Sequence, residues 1–183
     1  MKILLHICCA NCALYPFQRL QKEGFEVFGF FFNPNIHPYQ EYLKRLEAVK
    51  EIEERLKVRI IYQDRYELED FLRRVVFREG ERCRICYHLR LAATAQVGKR
   101  GKFNAFTSTL LSSKHQNHNL IREIGISVGK EKGISFYYAD FREGWVQGRE
   151  MSQRLGLYRQ QYCGCIYSEK ERFFKNKKVR REE

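Results

Sequence analysis

The sequence predicts an α/β fold, in which a parallel sheet of about five strands carries helices on both faces. Two observations support this prediction. Short apolar runs alternate about five times with longer segments of helical periodicity along the 183 residues, and hydrophobic residues make up 44% of the chain. That hydrophobic content is sufficient for one buried core, and the alternation is typical of strands connected by crossover helices.

In the first half of the chain, each strand-like run is followed by a helix-like one. Residues 2–8 form an apolar run that predicts a strand buried on both faces, and residues 12–24 predict a helix that ends at a glycine. FEVFGFFFNP, residues 25–34, predicts a second strand that stops at Asn-Pro. Apolar residues recur every three or four positions across 39–56, which predicts an amphipathic helix, and VRIIYQ at 58–63 predicts a third strand.

The second half repeats this order. A short helix is expected at 67–77, and a longer one begins at Cys83 and runs to about Val97 before glycine and basic residues. NAFTSTLL at 104–111 and ISFYYADF at 134–141 predict the last two strands, with a helix at 118–133 between them.

The remainder is basic and mainly helical, with a break near YCGC. We therefore expect a single domain over 1–183, made of an α/β core at 1–142 and a helical C-terminal extension at 143–183.

The chain is strongly basic. Its 34 Lys and Arg against 22 Asp and Glu give a formal charge of +12, which favours a polyanionic partner and nucleic acid first. A solvated surface with a basic tail from Lys175 to Glu182 is the other explanation of the charge. The apolar stretch Ile3–Leu5 is interrupted by His6, and no segment approaches about 20 apolar residues, so no membrane role and a cytoplasmic location are expected.

The cysteines are grouped. They form a CC-x2-C, a C-x2-C and a C-x-C motif: Cys8, Cys9 and Cys12; Cys83 and Cys86; Cys163 and Cys165. Because a reducing cytosol disfavours structural disulfides, this grouping indicates metal or redox chemistry.

The first two groups can supply four thiolates to one site. Cys8 and Cys9 follow the first strand, at the carboxyl edge where ligands bind in such sheets. Cys83 and Cys86 are three residues apart, which places both sulfurs on one side of a helix. The spacing favours an iron-sulfur cluster over zinc, because adjacent cysteines are awkward ligands for one tetrahedral ion, but four thiolates suit both.

The remaining cysteines leave alternatives open. Cys163 and Cys165 flank one glycine and could form a strained, reversible disulfide, or serve as free thiols or extra metal ligands. Cys12 is expected near a helix N-terminus, where the dipole favours the thiolate, and is either a solvent-facing thiol or a ligand of a second metal.

Polar and aromatic residues near the same edge could contact RNA. Asp140 is expected at the end of the fifth strand, as a proton donor or a helix cap. His115 and His118 could be metal ligands, although binding of phosphate beside Lys114 is preferred. The aromatic residues Trp145, Tyr158, Tyr162 and Tyr167 alternate with arginines and could stack on an unpaired base or simply pack in the fold. The candidate RNA-binding cations are Lys114, His115, Arg142, Arg149, Arg154 and Arg159.

Five motifs in series, LLHICCANCA, RCRICYHLRL, FTSTLLSSKHQN, ADFREGW and YRQQYCGC, resemble those of the cobalamin-independent epoxyqueuosine reductases, the QueH family. The resemblance covers Lys2 to about Phe173. It implies a Rossmann-like fold of the adenine nucleotide α-hydrolase type, but the chain lacks an SGGxDS loop and should need neither ATP nor cobalamin. One departure is Asn11, where the resemblance implies a proline.

The resemblance also implies a function. The reaction would be reduction of epoxyqueuosine to queuosine at the tRNA wobble position, with tRNA and an unidentified electron donor as partners. Cys8, Cys9, Cys83 and Cys86 would hold a four-iron, four-sulfur cluster, and the C-x-C motif at 163–165 would supply a redox-active disulfide. Apart from the resemblance, the cysteine left over by this count suggests the hypothesis that Cys12 or Asp140 helps to hold an additional mononuclear iron. The alternatives from other classes are a zinc-containing tRNA-binding module without catalysis and a thiol-disulfide oxidoreductase.

Overall fold

One parallel sheet organises the chain. The computed structural model describes residues 1–174, so the basic tail expected at 175–182 lies outside the described residues. The strands lie in the order β3-β2-β1-β4-β5, and every neighbouring pair is parallel, as the sequence predicts. Their bounds are β1 Lys2–Ile7, β2 Glu26–Phe31, β3 Arg59–Tyr62, β4 Ala105–Ser108 and β5 Ser135–Phe136.

Helices connect the strands and form the extension. They are α1 Ala10–Lys22, α2 Tyr39–Leu56, α3 Leu68–Val75, α4 Arg82–Arg100, α5 His118–Lys132, α6 Trp145–Arg154 and α7 Ile166–Phe173, with short 3-10 helices at Glu79–Glu81, Thr109–Ser112 and Phe141–Gly144. All the predicted helices are confirmed. The extension is helical with a break around YCGC, also as expected.

The order of the strands determines where helices lie. The chain moves outward from β1 through β2 to β3, and then crosses back to β4 and β5 on the other side of β1. With right-handed crossovers, α1 and α2 cover one face of the sheet, and α4 and α5 cover the other. The connections at the carboxyl ends of β1 and β4 therefore meet beside a topological switch point, where ligands bind in folds of this kind.

The core is centred on β1. Residues 3–7 of this strand have no measurable exposure, since helices cover both faces and strands flank both edges. The continuous apolar run at the N-terminus is thus the sequence signature of a fully buried central strand.

The fifth strand is shorter than predicted. It pairs with β4 only at Ser135 and Phe136, and one more backbone hydrogen bond joins Tyr137 N–H to the Phe106 carbonyl at 2.8 Å. The same register places residues 137 and 138 opposite Thr107 and Ser108, but β4 ends there and turns into a 3-10 helix, so residues 139–141 have no strand to pair with. The expectation that Asp140 ends a strand is therefore wrong.

The C-terminal extension packs against the core. Helix α6 contacts α1, and the backbone of His37 donates a hydrogen bond to the Gly164 carbonyl at 2.8 Å. The division into a core at 1–142 and an extension at 143–183 stays a prediction. Within the described residues, none of the helices has the length and apolar character needed to cross a bilayer.

Candidate active site

Three cysteines meet where β1 ends and α1 begins. The strand ends at Ile7, and Cys9 is the N-cap of α1. The two adjacent cysteines therefore lie outside the strand, where successive side chains need not point to opposite faces of the sheet. The Sγ atoms of Cys8 and Cys9 are 3.8 Å apart, and those of Cys8, Cys9 and Cys12 all lie within 4.8 Å of one another. This is the one such group of potential metal ligands found in residues 1–174.

The thiols of this group are not equivalent. Cys12 and Cys9 donate hydrogen bonds to Cys8, which lowers the pKa of Cys8 well below its usual value. The Thr109 hydroxyl also donates to the Cys8 sulfur, at 3.3 Å. The same bond to Cys8 raises the pKa of Cys12, and burial raises the pKa of Cys9. The thiolate expected at Cys12 is thus favoured at Cys8 instead, because Cys12 donates its hydrogen bond to Cys8.

The second pair lies at the start of α4. Cys83 is exposed, whereas Cys86 is buried and packs with Cys165 and with Phe71 and Val75 of α3. Burial raises the pKa of Cys86 to about 11 and also raises the pKa of Cys83. The C-x2-C and C-x-C motifs, which lie about 80 residues apart in the sequence, therefore share one apolar cluster.

Arg90 places a buried positive charge among the cysteine groups. Its side chain is 3% exposed, and its guanidinium donates to the Cys86 sulfur at 3.0 Å and to the Cys86 carbonyl at 3.1 Å. The charge also acts on Cys8 and Cys163. Within the described chain, no carboxylate lies within 4.0 Å of Arg90. Arg90 is not among the site residues predicted from the sequence, although an arginine four positions after a cysteine on a helix is a usable signal.

Burial, together with the charge of Arg90, keeps a neighbouring histidine neutral. Burial and the charge of Arg90 lower the pKa of His6 to about 4. The ring lies 2.9 Å from the Ser108 hydroxyl and 3.1 Å from the Phe32 carbonyl, so hydrogen bonds on both sides hold it in place beneath the cysteines.

A buried arginine on α2 fixes the C-x-C segment. Arg45 donates to the carbonyls of Cys163 and Tyr162 at 3.0 and 2.9 Å, and its Nε donates to Glu41 Oε1 at 2.7 Å. Gly164 has φ +135°, where a side chain would be strained, and an added Cβ would lie 3.1 Å from Ile36 Cγ1. The glycine therefore lets this segment lie against the core.

Gln160 and Asn11 connect the C-terminal extension to the first cysteine group. Gln160 Nε2 donates to the Cys9 sulfur at 2.8 Å. The Asn11 amide donates to the Tyr158 carbonyl at 3.1 Å and to Gln160 Oε1 at 3.0 Å, and its Oδ1 accepts a hydrogen bond from Ser152. Proline could make none of these bonds, so the departure at Asn11 has a structural role in this chain.

The C-x-C thiols differ strongly from each other. All seven cysteines are free thiols in this structure, so the pair is described in its dithiol form. The hydrogen bond from Cys165 to Cys163 lowers the pKa of Cys163 to about 5 and raises the pKa of Cys165. Cys163 is also exposed, so the structure presents it as the nucleophilic member of the pair.

In the reduced, metal-free protein, alkylation of Cys163 by iodoacetamide is expected to reach half its maximal rate near pH 5. The thiolate is the reactive form and is populated above its pKa, so the rate rises through that pH. Peptide mapping by mass spectrometry separates this site from Cys83. In Cys165→Ala the midpoint should move upward; a midpoint near the ordinary value of about 8.5 in the parent protein contradicts the prediction.

Asp140 and the candidate RNA-binding cations lie at the surface. Asp140 caps the 3-10 helix after β5 and pairs with Arg142, whose Nε lies 2.8 Å from Oδ1, and this lowers the pKa of Asp140 to about 2. It is not in the sulfur group found within residues 1–174, and the ion pair must open before it can bind a metal. The six candidate cations are all exposed: Lys114, His115, Arg142, Arg149, Arg154 and Arg159.

Two of these cations flank one aromatic ring. Lys114 Nζ lies 5.1 Å and the Arg149 guanidinium carbon 5.6 Å from the centre of the Trp145 ring, which is 43% exposed. Tyr158 and Tyr162 instead donate hydrogen bonds inside the fold, to Glu41 and to the His37 carbonyl. The structure therefore separates Trp145 from the tyrosines as a surface aromatic.

This fold and site define a class of protein: a Rossmann-like α/β protein with a cysteine site at the carboxyl edge of its sheet. The profile described as epoxyqueuosine reductase QueH matches residues 3–171, and this chain belongs to that family. A Dehalococcoides mccartyi relative named epoxyqueuosine reductase QueH is 40% identical over 95% of this chain and 96% of its own length. A relative of the same name from Thermotoga maritima is 32% identical over 98% of this chain and 96% of its own length.

The fold also resembles that of a solved structure from another family. A predicted subunit of a tRNA methyltransferase from Methanocaldococcus jannaschii aligns with a TM-score of 0.53 over 84% of this chain and 76% of its own, at 14% identity. At this level of identity, the likeness concerns the fold alone.

Proposed function

We propose that this protein reduces epoxyqueuosine to queuosine at the wobble position of tRNA in the cytoplasm. The observation that carries the proposal is the convergence of the cysteine groups around Arg90 in a chain of this family. The name of the relatives supports the reaction, and the basic surface supports RNA as the substrate.

We assign Cys8, Cys9, Cys83 and Cys86 as ligands of a four-iron, four-sulfur cluster. The donors are soft sulfur atoms, and those of Cys9 and Cys86 are buried, which suits iron-sulfur chemistry. Arg90 supports the assignment independently. A buried cation needs negative charge nearby; the Cys8 and Cys163 thiolates supply part of it in the metal-free protein, and metal-bound thiolates would supply it at Cys86 as well. We assign Cys12, which adjoins this set, to an additional iron, with Asp140 as the second candidate.

The C-x-C dithiol can supply the electrons and protons that the reaction consumes. Removing the epoxide oxygen as water consumes two electrons and two protons, and oxidation of Cys163 and Cys165 to a disulfide releases two of each. The cluster would supply one-electron transfer between the dithiol and the substrate. An external donor must then reduce the disulfide before the next turnover.

The remaining residues of the site bind and orient the substrate. A wobble base must leave the anticodon stack to reach the cysteines. We assign Trp145, with its flanking Lys114 and Arg149, to stacking on a nucleotide and to phosphate contacts. His115, Arg142, Arg154 and Arg159 extend this positive surface.

The test is anaerobic incubation of the purified protein with tRNA that contains epoxyqueuosine and a strong reductant, followed by mass spectrometry of the nucleosides. Loss of one oxygen is the expected result, together with about four irons per chain and broad visible absorption. A colourless protein that contains zinc and leaves the nucleoside unchanged would instead support a tRNA-binding module.

A further inference from the structure

The connection between α3 and α4 exposes a phenylalanine beside the cysteine site. Phe77 is 95% exposed and has φ +62°, a conformation that bulky residues rarely adopt. Its N–H donates to Glu79 Oε1 at 3.1 Å, and the next N–H, that of Arg78, donates to the Val75 carbonyl at 2.9 Å. The ring is thus held in solvent by a hydrogen-bonded turn six residues before Cys83, and packing within the described chain does not offset its exposure.

A basic groove lies next to this turn, between α3, α4 and α5. It encloses about 540 Å³, and its lining combines an apolar floor with a polar rim: Ile85, Leu89 and Ile124 below; Arg74, Arg78, Arg84, His88, Glu123 and Ser127 around it. Arg84 pairs with Glu81, but Arg74 and Arg78 have no carboxylate within 4.0 Å in the described part of the chain.

We infer that Phe77 and this groove, together the α3–α4 surface, bind unpaired RNA nucleotides that flank the reacting one. An exposed ring stacks on any base, and guanidinium groups with no intramolecular partner bind phosphates. The groove has an apolar floor for a base and, at Glu123, an acceptor for an exocyclic amino group. The inference rests on the proposed function for the identity of the RNA, an anticodon loop.

The position of the surface supports this assignment. The groove uses Arg84, Ile85 and His88, which lie in the same N-terminal turns of α4 as the proposed ligands Cys83 and Cys86 but on the opposite side of the helix. Nucleotides that flank a base bound at the cysteines would reach this surface across the N-terminal end of α4, where Phe77 lies six residues before Cys83. The Trp145 surface belongs to a different part of the fold, the start of α6, so the two surfaces together would hold the loop at separate points.

The experiment measures binding of a fluorescently labelled, unmodified anticodon stem-loop by anisotropy. Phe77→Ala is expected to weaken binding about five-fold or more, while Phe77→Trp retains it, since one stacked base contributes about 1–3 kcal/mol. Arg74→Gln/Arg78→Gln should weaken binding and reduce the salt dependence, with a change in slope of about 1–2.

The matched control is Arg100→Gln/Lys130→Gln, which removes two exposed charges near the amino ends of β4 and β5 and should leave affinity within about two-fold. Wild-type affinity in Phe77→Ala, equal weakening in the control, or equal loss on a duplex RNA of the same length would overturn the inference. Binding is measured without turnover, so a wild-type protein that makes no queuosine refutes the proposed function while the binding result still decides this surface.

Discussion

A Cys83→Ser variant is expected to lose bound iron and about 100-fold or more of the nucleoside reduction, whereas Cys163→Ser should keep its iron and lose the nucleoside reduction that the dithiol drives. A serine hydroxyl is hard and protonated at neutral pH, so it does not replace a thiolate as a ligand of iron. Loss of Cys163 leaves the proposed cluster ligands in place but removes one half of the proposed dithiol.

These two cysteines make a matched pair because both are exposed, so neither substitution opens a cavity in the core. Iron analysis and visible absorption report ligation, and nucleoside mass spectrometry reports turnover. The free energy of unfolding of the metal-free proteins checks that both variants fold. If Cys163→Ser loses as much iron as Cys83→Ser, the C-x-C motif belongs to the metal site and the division of roles is wrong.

The fold could be predicted from the sequence because its signals are local. The apolar run before Cys8 is the central strand, and the periodicity over 39–56 coincides with α2. The fifth strand was predicted too long because its length depends on its pairing with β4, and nothing in residues 134–141 themselves encodes that pairing.

The cysteines of the site could be predicted from the sequence, whereas the arginines and hydrogen bonds that set their positions and pKa values were harder to predict. Grouped cysteines at a strand end are visible in the sequence, and so is Arg90, which lies one helical turn after Cys86. Arg45 was not, because it lies on another helix, 118 residues before the carbonyl it binds. The order of the thiol pKa values at Cys8 and Cys12 was also hidden, since it depends on which sulfur accepts from the others.

Replacing Arg45 by methionine is expected to destabilise the metal-free protein by about 3–5 kcal/mol and to loosen the C-x-C segment. Arg45 is 1% exposed, and its removal leaves the Glu41 carboxylate buried without its cation. The carbonyls of Tyr162 and Cys163 lose their donors as well. Lysine restores the charge but lacks the planar guanidinium group that donates to both carbonyls, so Arg45→Lys should recover only part of the lost stability.

The same helix supplies a control for this experiment. Arg55 pairs with Glu51 at the same spacing of four residues and donates to the Leu155 carbonyl at 3.0 Å, but both charged side chains are exposed, so Arg55→Met should cost only about 1 kcal/mol. Urea unfolding measures both variants, and the alkylation rate of Cys163 reports the mobility of the segment. That rate should rise in Arg45→Met and stay unchanged in Arg55→Met.

A double variant identifies the source of the loss. The loss of stability in Arg45→Met can arise from the Glu41 carboxylate, which is left buried without a cation. In that case Glu41→Gln/Arg45→Met will be more stable than Arg45→Met alone, because a neutral amide still accepts the Tyr158 hydrogen bond without a buried charge. The fast alkylation of Cys163 should persist in the double variant, since its carbonyl still lacks the Arg45 donor. Recovery of slow alkylation together with stability would show that the unpaired Glu41 carboxylate causes the loosening, and that the two carbonyl bonds do not hold the C-x-C segment in place.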